Sequence, residues 1–333
     1  VTFAISPKIT GWFQIGWSEE FRPGEVFPLH YFGEELVGWR TEDGTFRVAS
    51  AYCAHLGAHL GHGGRVCGEF IRCPFHGWEW SSNGTNARIP YREKVEADRR
   101  LEMWETREIG GVLYLWHDSA GRPPYYEPPH PLEIFDPSFR SEDFNAGYPE
   151  GATIDRNVTI HPQYAMEDRV DREHFAGPHS SPLPDMSLVF EDHRFISNIR
   201  LGPTIEHGVD SFNYGLSITC FRYYGPDEQI SLLCVTPVND EVSDLFHTVW
   251  VSQNRKGAAS DAATGTSRFD ETKRQLHNDM QVWANIRYTP LPDPPAPDEI
   301  PLAQLRAWAT RFYPTPTHSH AAGGTHPQKG TVE

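Results

Sequence analysis

Apolar and polar positions change their rhythm along the chain. From Gly11 to His117 the apolar residues come in short runs cut by turn residues, which reads as short strands. Leu36 to Arg40 and Thr45 to Ala49 flank Asp43-Gly44, a hairpin signal, because glycine accepts the positive φ that a tight turn requires. Asn83-Gly84 marks another turn, and Val112 to Trp116 closes the segment as an apolar strand. This part predicts a small all-β unit.

Between Ser119 and Pro149 seven prolines, at 123, 124, 128, 129, 131, 137 and 149, interrupt any period. That is the composition of a linker or a meandering crossover, so a first domain is expected over 1–118, a linker over 119–150 and a second domain over 151–313. The second domain predicts a strand at Ala152 to Ile160, a helix from Gln163 to His174, and strands at Arg194 to Arg200, Ser211 to Phe221, Gln229 to Thr236 and Leu245 to Gln253. The turn signals between them suggest an antiparallel meander. Lys256 to Ser267 reads as a mobile loop of small residues. Asp270 to Tyr288 is helical in pattern, with Leu276, Met280, Trp283 and Ile286 on one face, and a short amphipathic helix follows around Leu302 to Phe312. The tail, 314–333, reads as disordered, and its His318, His320 and His326 are expected to bind no metal. The fold class is α+β.

Composition narrows the function classes. A length of 333 residues suggests about two domains, and 38% hydrophobic with 13% aromatic residues suffices for real cores. No apolar run reaches the length of a membrane span, and Val1 to Lys8 lacks a charged leader followed by an apolar stretch. With five cysteines in a reducing context, the cytoplasm is the expected compartment. A net charge of −16 disfavours nucleic acid and anionic membranes, and suits a basic redox partner or mere solubility.

Two short motifs supply the first candidate chemistry. Cys53-Ala-His55 and Cys73-Pro-Phe-His76 stand seventeen residues apart, and each offers one thiolate and one imidazole. Two cysteines on one iron and two histidines on the other form the ligand set of a Rieske [2Fe–2S] centre. Tetrahedral Zn²⁺ takes the same donors, but zinc fingers usually pair Cys with Cys and His with His. Rieske proteins of the respiratory type add a cysteine in each loop, where Ala58 and Phe75 stand here; the likeness is to ferredoxin and oxygenase domains. Cys67, Cys220 and Cys234 read as buried thiols. His59 and His62 follow the first loop, although four residues already fill the cluster.

The run from Glu167 to His179 holds two histidines five apart, His174 and His179, with Asp171 three before the first. In a helix Asp171 and His174 share a face, and Gly177-Pro178 breaks the helix so that His179 turns back toward the same point. Two imidazoles and one carboxylate on Fe(II) leave open positions for dioxygen and substrate. Asp279 is the candidate carboxylate, because it lies between Leu276 and Met280 on an apolar face where an uncompensated charge is costly to bury. An aspartate at the stripe's edge with access to water is the plainer reading, as ordinary histidines are for His174 and His179. The upstream Cys/His motif favours the metal, since a cluster needs somewhere to send its electrons.

With those residues in place, the chain from about Gly11 to Tyr313 resembles the oxygenase component of a Rieske non-haem iron oxygenase, with likeness to 3-ketosteroid 9α-hydroxylase and the cholesterol 7-desaturases. The shared stretches are Ala51-Tyr52-Cys53, Cys73-Pro74-Phe75-His76, Asn83-Gly84, Ile89-Pro90-Tyr91, Leu115-Trp116-His117-Asp118, the Asp171 to His179 run, Asp279 with Trp283, and Gln304-Leu305-Arg306 followed by Trp308, Arg311, Phe312 and Tyr313. The resemblance implies a [2Fe–2S] cluster on Cys53, His55, Cys73 and His76, and a mononuclear Fe(II) on His174, His179 and Asp279. It also implies that Asp171 bridges to the second Rieske histidine, His76, of a neighbouring subunit in a head-to-tail homotrimer.

The same resemblance implies a separate NAD(P)H-dependent flavin/iron–sulfur reductase, alone or with a ferredoxin, and hydroxylation of an apolar polycyclic substrate, a steroid first. Substrate is expected between the sheet and the iron-bearing helices, facing aromatics of the 194–253 region. The alternatives are an aromatic acid or aryl ether as substrate, through dioxygenation or O-demethylation, and an electron-transfer protein with an inactive second site. Departures bear on this choice. Relatives usually carry Asn where this chain has Asp168, whose added charge bears on the metal's potential and allows it to compete as a ligand. Arg172 and Glu173 are more charged than usual, and the chain ends sooner than steroid hydroxylases of this type.

Overall fold

The computed structural model describes residues 2–175, 183–201, 208–224, 228–252 and 262–314. Its N-terminal part is built from short antiparallel strands. Val26–Tyr31, Glu34–Arg40, Phe46–Ser50 and Met103–Trp104 form one sheet, and Arg65–Cys67, Phe70–Arg72, Glu79–Trp80 and Asn86–Arg88 form another. The hairpin at Asp43-Gly44 is present: Gly44 takes φ +90°, and the Thr45 N–H donates to Asp43 Oδ1 at 3.1 Å. Trp39, Leu60, Ile71, Trp78 and Trp80 fill the core under the two Cys/His loops. Cys220 and Cys234 are buried as expected, but Cys67 is only half-buried, because it ends an edge strand of its sheet.

Gly11–Trp17 and Val112–His117 pair in a three-stranded sheet with Thr106–Ile109, and every residue of the first two strands is buried. Alternate side chains of a strand point to opposite faces, and here both faces are covered. Phe13, Leu113 and Leu115 pack with Met166, Leu305 and Phe312. Trp12, Trp17, Val112 and Tyr114 pack on the other side against Cys220, Ile230, Leu232 and Phe246.

The second part is an eight-stranded antiparallel sheet. Arg194–Arg200 runs as expected, whereas the single strand expected over Ser211 to Phe221 is two, Gly208–Tyr214 and Ile218–Tyr224. Gly215, at φ +54°, turns the chain between them. Asp185–Phe190, which the pattern did not predict, forms one edge. At the opposite edge Phe144–Ala146, from the proline-rich stretch, pairs with Ser243–Ser252, and Tyr126 and Leu132 of that stretch are buried in the core it shares. Gln229–Pro237 is buried at every position. Ile230, Leu232 and Cys234 face the N-terminal sheet, while Leu233 and Val235 face the helices.

Those helices are α1 (Pro162–Glu167), α2 (Ala262–Trp283) and α3 (Ile300–Ala309). Helix α2 begins earlier than Asp270, so 262–267 belong to it and not to a loop; alanines at its start favour helix. Positions 253–261 lie outside the described residues, as do 315–333. Leu276, Met280 and Trp283 are buried, but Ile286 lies past the end of α2 and is 45% exposed. Among the described residues no helix is long and apolar enough to cross a membrane.

Candidate metal centres

Cys53 and Cys73 begin two similar turns. The Gly57 N–H donates to the Cys53 carbonyl and the Gly77 N–H to that of Cys73, and both glycines take positive φ, +76° and +70°. The two thiols are buried, at 2% and 4% exposed, and share a hydrogen bond that holds Cys73 down at about 6 while raising Cys53. A readily formed thiolate is what a metal ligand requires. Beside the sulfurs, the rings of His55 and His76 approach to 4.8 Å between centroids. Burial, then the charges of His76 and Arg99, lower His55 and keep its imidazole neutral, with a lone pair to give. The residues present therefore fit a donor set of two thiolates and two imidazoles.

Other residues fix those loops, and the ligand spacing alone did not reveal them. Trp78 stacks on His55 at 4.2 Å and donates its indole N–H to Tyr91 Oη at 2.8 Å. Arg99 donates to the carbonyls of Ala54 and His55 at 2.9 and 2.6 Å. His59 accepts the Gly61 N–H and lies 3.6 Å from Glu35. The rim is apolar and open: Tyr52, Leu56, Phe75 and Tyr91 are each more than half exposed.

The second centre departs from expectation in its backbone. Helix α1 ends at Glu167, so Asp171 and His174 do not share a helix face. Asp171 itself explains this: its Oδ1 accepts the N–H groups of Glu173 and His174 at 3.0 and 3.2 Å, capping a 3₁₀ turn over Glu173–Phe175. A short carboxylate that takes backbone donors in this way competes with helix continuation. The turn nevertheless delivers His174 to α2. His174 Nε2 lies 3.3 Å from Asp279 Oδ1 and 3.7 Å from Asp168 Oδ2, and one donor atom from each of the three residues lies within 4.8 Å of the others. His179 lies outside the described residues.

Asp168 enters this group where the spacing argument had named only Asp279. The indole N–H of Trp283, one turn after Asp279 on α2, donates to Asp168 Oδ2. Burial raises Asp168 to about 6. Burial works against protonation of His174, but the hydrogen bond to Asp279 and the charges of both aspartates raise it on balance. An imidazole and two carboxylates clustered in a partly buried site suit a divalent metal, whose charge would balance theirs. Arg306 of α3 forks onto Glu167 at 2.8 and 2.9 Å, and the Tyr313 hydroxyl donates to Gln163 Oε1, tying α1 to the C-terminal segment.

A cavity of about 300 Å³ opens beside these donors, walled by Ile199, Leu201, Val209, Phe221, Leu233 and Leu276. It lies between sheet and helices, as expected, and its size is at the lower end of small-molecule sites.

Residues 115–313 match the family described as the 3-ketosteroid 9alpha-hydroxylase C-terminal domain, over more than half of the chain. The chain belongs to that family. Residues 11–101 match the Rieske [2Fe-2S] domain, which decides the Cys/His loops against zinc. This member of the 3-ketosteroid 9alpha-hydroxylase family is thus a Rieske-type non-haem iron monooxygenase, an oxidoreductase with a [2Fe–2S] cluster and a mononuclear iron. It is 27% identical to a 3-ketosteroid-9-alpha-monooxygenase oxygenase component of Rhodococcus rhodochrous over 91% of this chain and 79% of the relative. A cholesterol 7-desaturase of Bombyx mori is 33% identical over 53% of this chain and 37% of its own length. Dicamba monooxygenase bound to dicamba shares the fold, with a TM-score of 0.66 at 16% identity, covering 94% of this chain and 98% of that one.

Proposed function

We propose that the protein is the terminal oxygenase of a Rieske system and hydroxylates an apolar polycyclic substrate, a steroid. The observation that carries this reading is the cavity of about 300 Å³, walled largely by apolar side chains and open onto His174 and Asp279. In this reading Cys53, His55, Cys73 and His76 hold the cluster, and His174, His179 and Asp279 hold the iron. Residues 1–118 form the Rieske domain, 119–150 the crossover and 151–313 the catalytic domain.

The iron, when bound, supplies oxygen activation, and the cluster supplies electrons one at a time. The chain's own residues position and exclude. Ile199, Val209, Phe221, Leu233 and Leu276 hold the substrate's rings against the iron side and keep out water. Asp171, exposed while its Oδ1 caps the Glu173–Phe175 turn, has its other oxygen available for an imidazole N–H of a neighbouring subunit, His76. The apolar rim of Tyr52, Leu56, Phe75 and Tyr91 around the cluster supports docking there, in a closed head-to-tail trimer. Electrons would reach the cluster from a separate NAD(P)H-dependent reductase, alone or through a ferredoxin. Two cysteines committed to the cluster and three more, Cys67, Cys220 and Cys234, outside any disulfide support a reducing compartment, the cytoplasm.

Turnover of a panel of steroids and aromatic acids with a competent reductase, scored by product mass, tests the proposal. A hydroxylated steroid is expected. Turnover of aryl ethers or aromatic acids alone would replace the steroid reading.

A further inference from the structure

Two nitrogen-bearing side chains of the cavity hold a buried polar atom without a partner among the described residues. His247, on the strand Ser243–Ser252, is 3% exposed, and its Nδ1 has no hydrogen-bond partner among the described residues. Arg169 lays its guanidinium over the rings of Phe221 at 4.6 Å and Trp283 at 5.7 Å, and its buried Nε also lacks a partner among the described residues. Arg169 favours ionised Asp168 through its charge but forms no ion pair among the described residues: His174 lies against Asp168 and Asp279, and Glu167 takes Arg306. Buried polar groups are rarely left unmatched without cause.

The two side chains belong together. Burial first, then the charges of Arg169 and Lys273, lower His247 to about 4, so it stays a neutral imidazole able to donate while two cations set a positive potential around it. Apart from the metal donors, the other polar lining residues, Ser211, Thr272, Gln275 and Tyr223, carry no charge, and Ile199, Leu201, Val209, Phe221, Leu233 and Leu276 make up the apolar wall. A guanidinium fork matches the two oxygens of a carboxylate better than the single oxygen of a ketone.

We infer that Arg169 and His247 form a recognition pair for a carboxylate on the substrate, so that the favoured compound is an apolar polycyclic acid and not its neutral counterpart. The inference rests on the oxygenase reading of the adjoining metal site. It assigns Arg169 and His247 to binding specificity, apart from the residues that hold iron. If Arg169 serves only to stack on Phe221 and Trp283, acid and neutral compounds bind alike.

Equilibrium binding to the holoenzyme, measured by calorimetry, separates these cases without turnover. The probes are a steroid with a terminal carboxylic acid, its methyl ester, and a monocyclic aromatic acid. Wild type should bind the steroid acid about tenfold to hundredfold tighter than the ester, the range of a charge-assisted hydrogen bond. Arg169→Gln should abolish the preference while changing ester affinity less than about threefold, and Arg169→Lys, which keeps charge but loses the fork, should restore part of it. His247→Leu should weaken the acid alone. Cluster absorbance and melting temperature report whether each variant is folded; should Arg169→Gln fail to fold, the wild-type ratio and Arg169→Lys decide. Equal binding of steroid acid and ester by wild type overturns the inference and leaves the steroid reading intact. Binding of the aromatic acid alone, lost in Arg169→Gln, would uphold the carboxylate pair and overturn the steroid reading.

Discussion

Asp279 is 7% exposed on the inner face of α2, beside Leu276 and Met280, and its Oδ1 meets His174 at 3.3 Å. Asp279→Ala should therefore lower iron from about three to about two per chain and abolish turnover, while the Rieske EPR signal persists. Full activity and iron content in that variant would remove Asp279 from the site. Asp168 calls for the milder replacement. Asp168→Asn keeps an acceptor for the Trp283 indole and loses only the charge, so metal should stay bound. Loss of iron on dialysis of Asp168→Asn would make Asp168 a ligand in its own right. Position 168 illustrates what spacing can reveal: the meeting of His174 with Asp279 was legible, but the approach of Asp168 to Asp279 spans more than a hundred residues and depends on how α2 lies across the sheet.

Among the elements, α1 carries the acid sensitivity that can be assigned most directly. His161 caps it, accepting the Gln163 N–H through Nδ1 at 3.1 Å, and its Nε2 donates to the Ser6 carbonyl at 3.1 Å. Burial lowers this histidine to about 4. Between pH 6.5 and 4 the unfolded chain binds the proton and the folded one does not, so stability falls as pH falls through that window. At pH 5 the loss is about 2 kcal/mol. His161→Asn retains a capping acceptor without a titrating ring. Melting temperatures at pH 7.5 and 5 should then differ less than in wild type; an unchanged difference would place the acid sensitivity elsewhere. The helix expected to run through His174 stops at Glu167, because Asp171 caps a new turn. Helical periodicity persists across such a break, so the sequence pattern could not reveal it.

At the scale of the whole molecule, Asp171 is the residue proposed to bridge to the cluster loops of a neighbouring subunit. Asp171→Asn retains size and loses charge, so both metal centres should assemble. The cluster should still be reduced by the reductase, yet reoxidise slowly in single turnover with substrate and O₂. A wild-type rate would show that Asp171 is no bridge. The backbone cap that Asp171 provides can be made by asparagine as well, which keeps a loss of the turn from mimicking the effect.

The Cys/His loops, the hairpin at Asp43-Gly44 and the buried face of α2 were legible in the sequence because each depends on neighbours a few residues away: turn glycines, ligand spacing and helical period. Whole-chain packing decided the rest. Gln229–Pro237 is buried on both faces because a second sheet covers one side and helices the other, which no local pattern specifies. The same packing brings Asp168 to the metal donors and leaves Arg169 and His247 facing the cavity, since residues far apart in sequence meet only where the sheet and α2 enclose it.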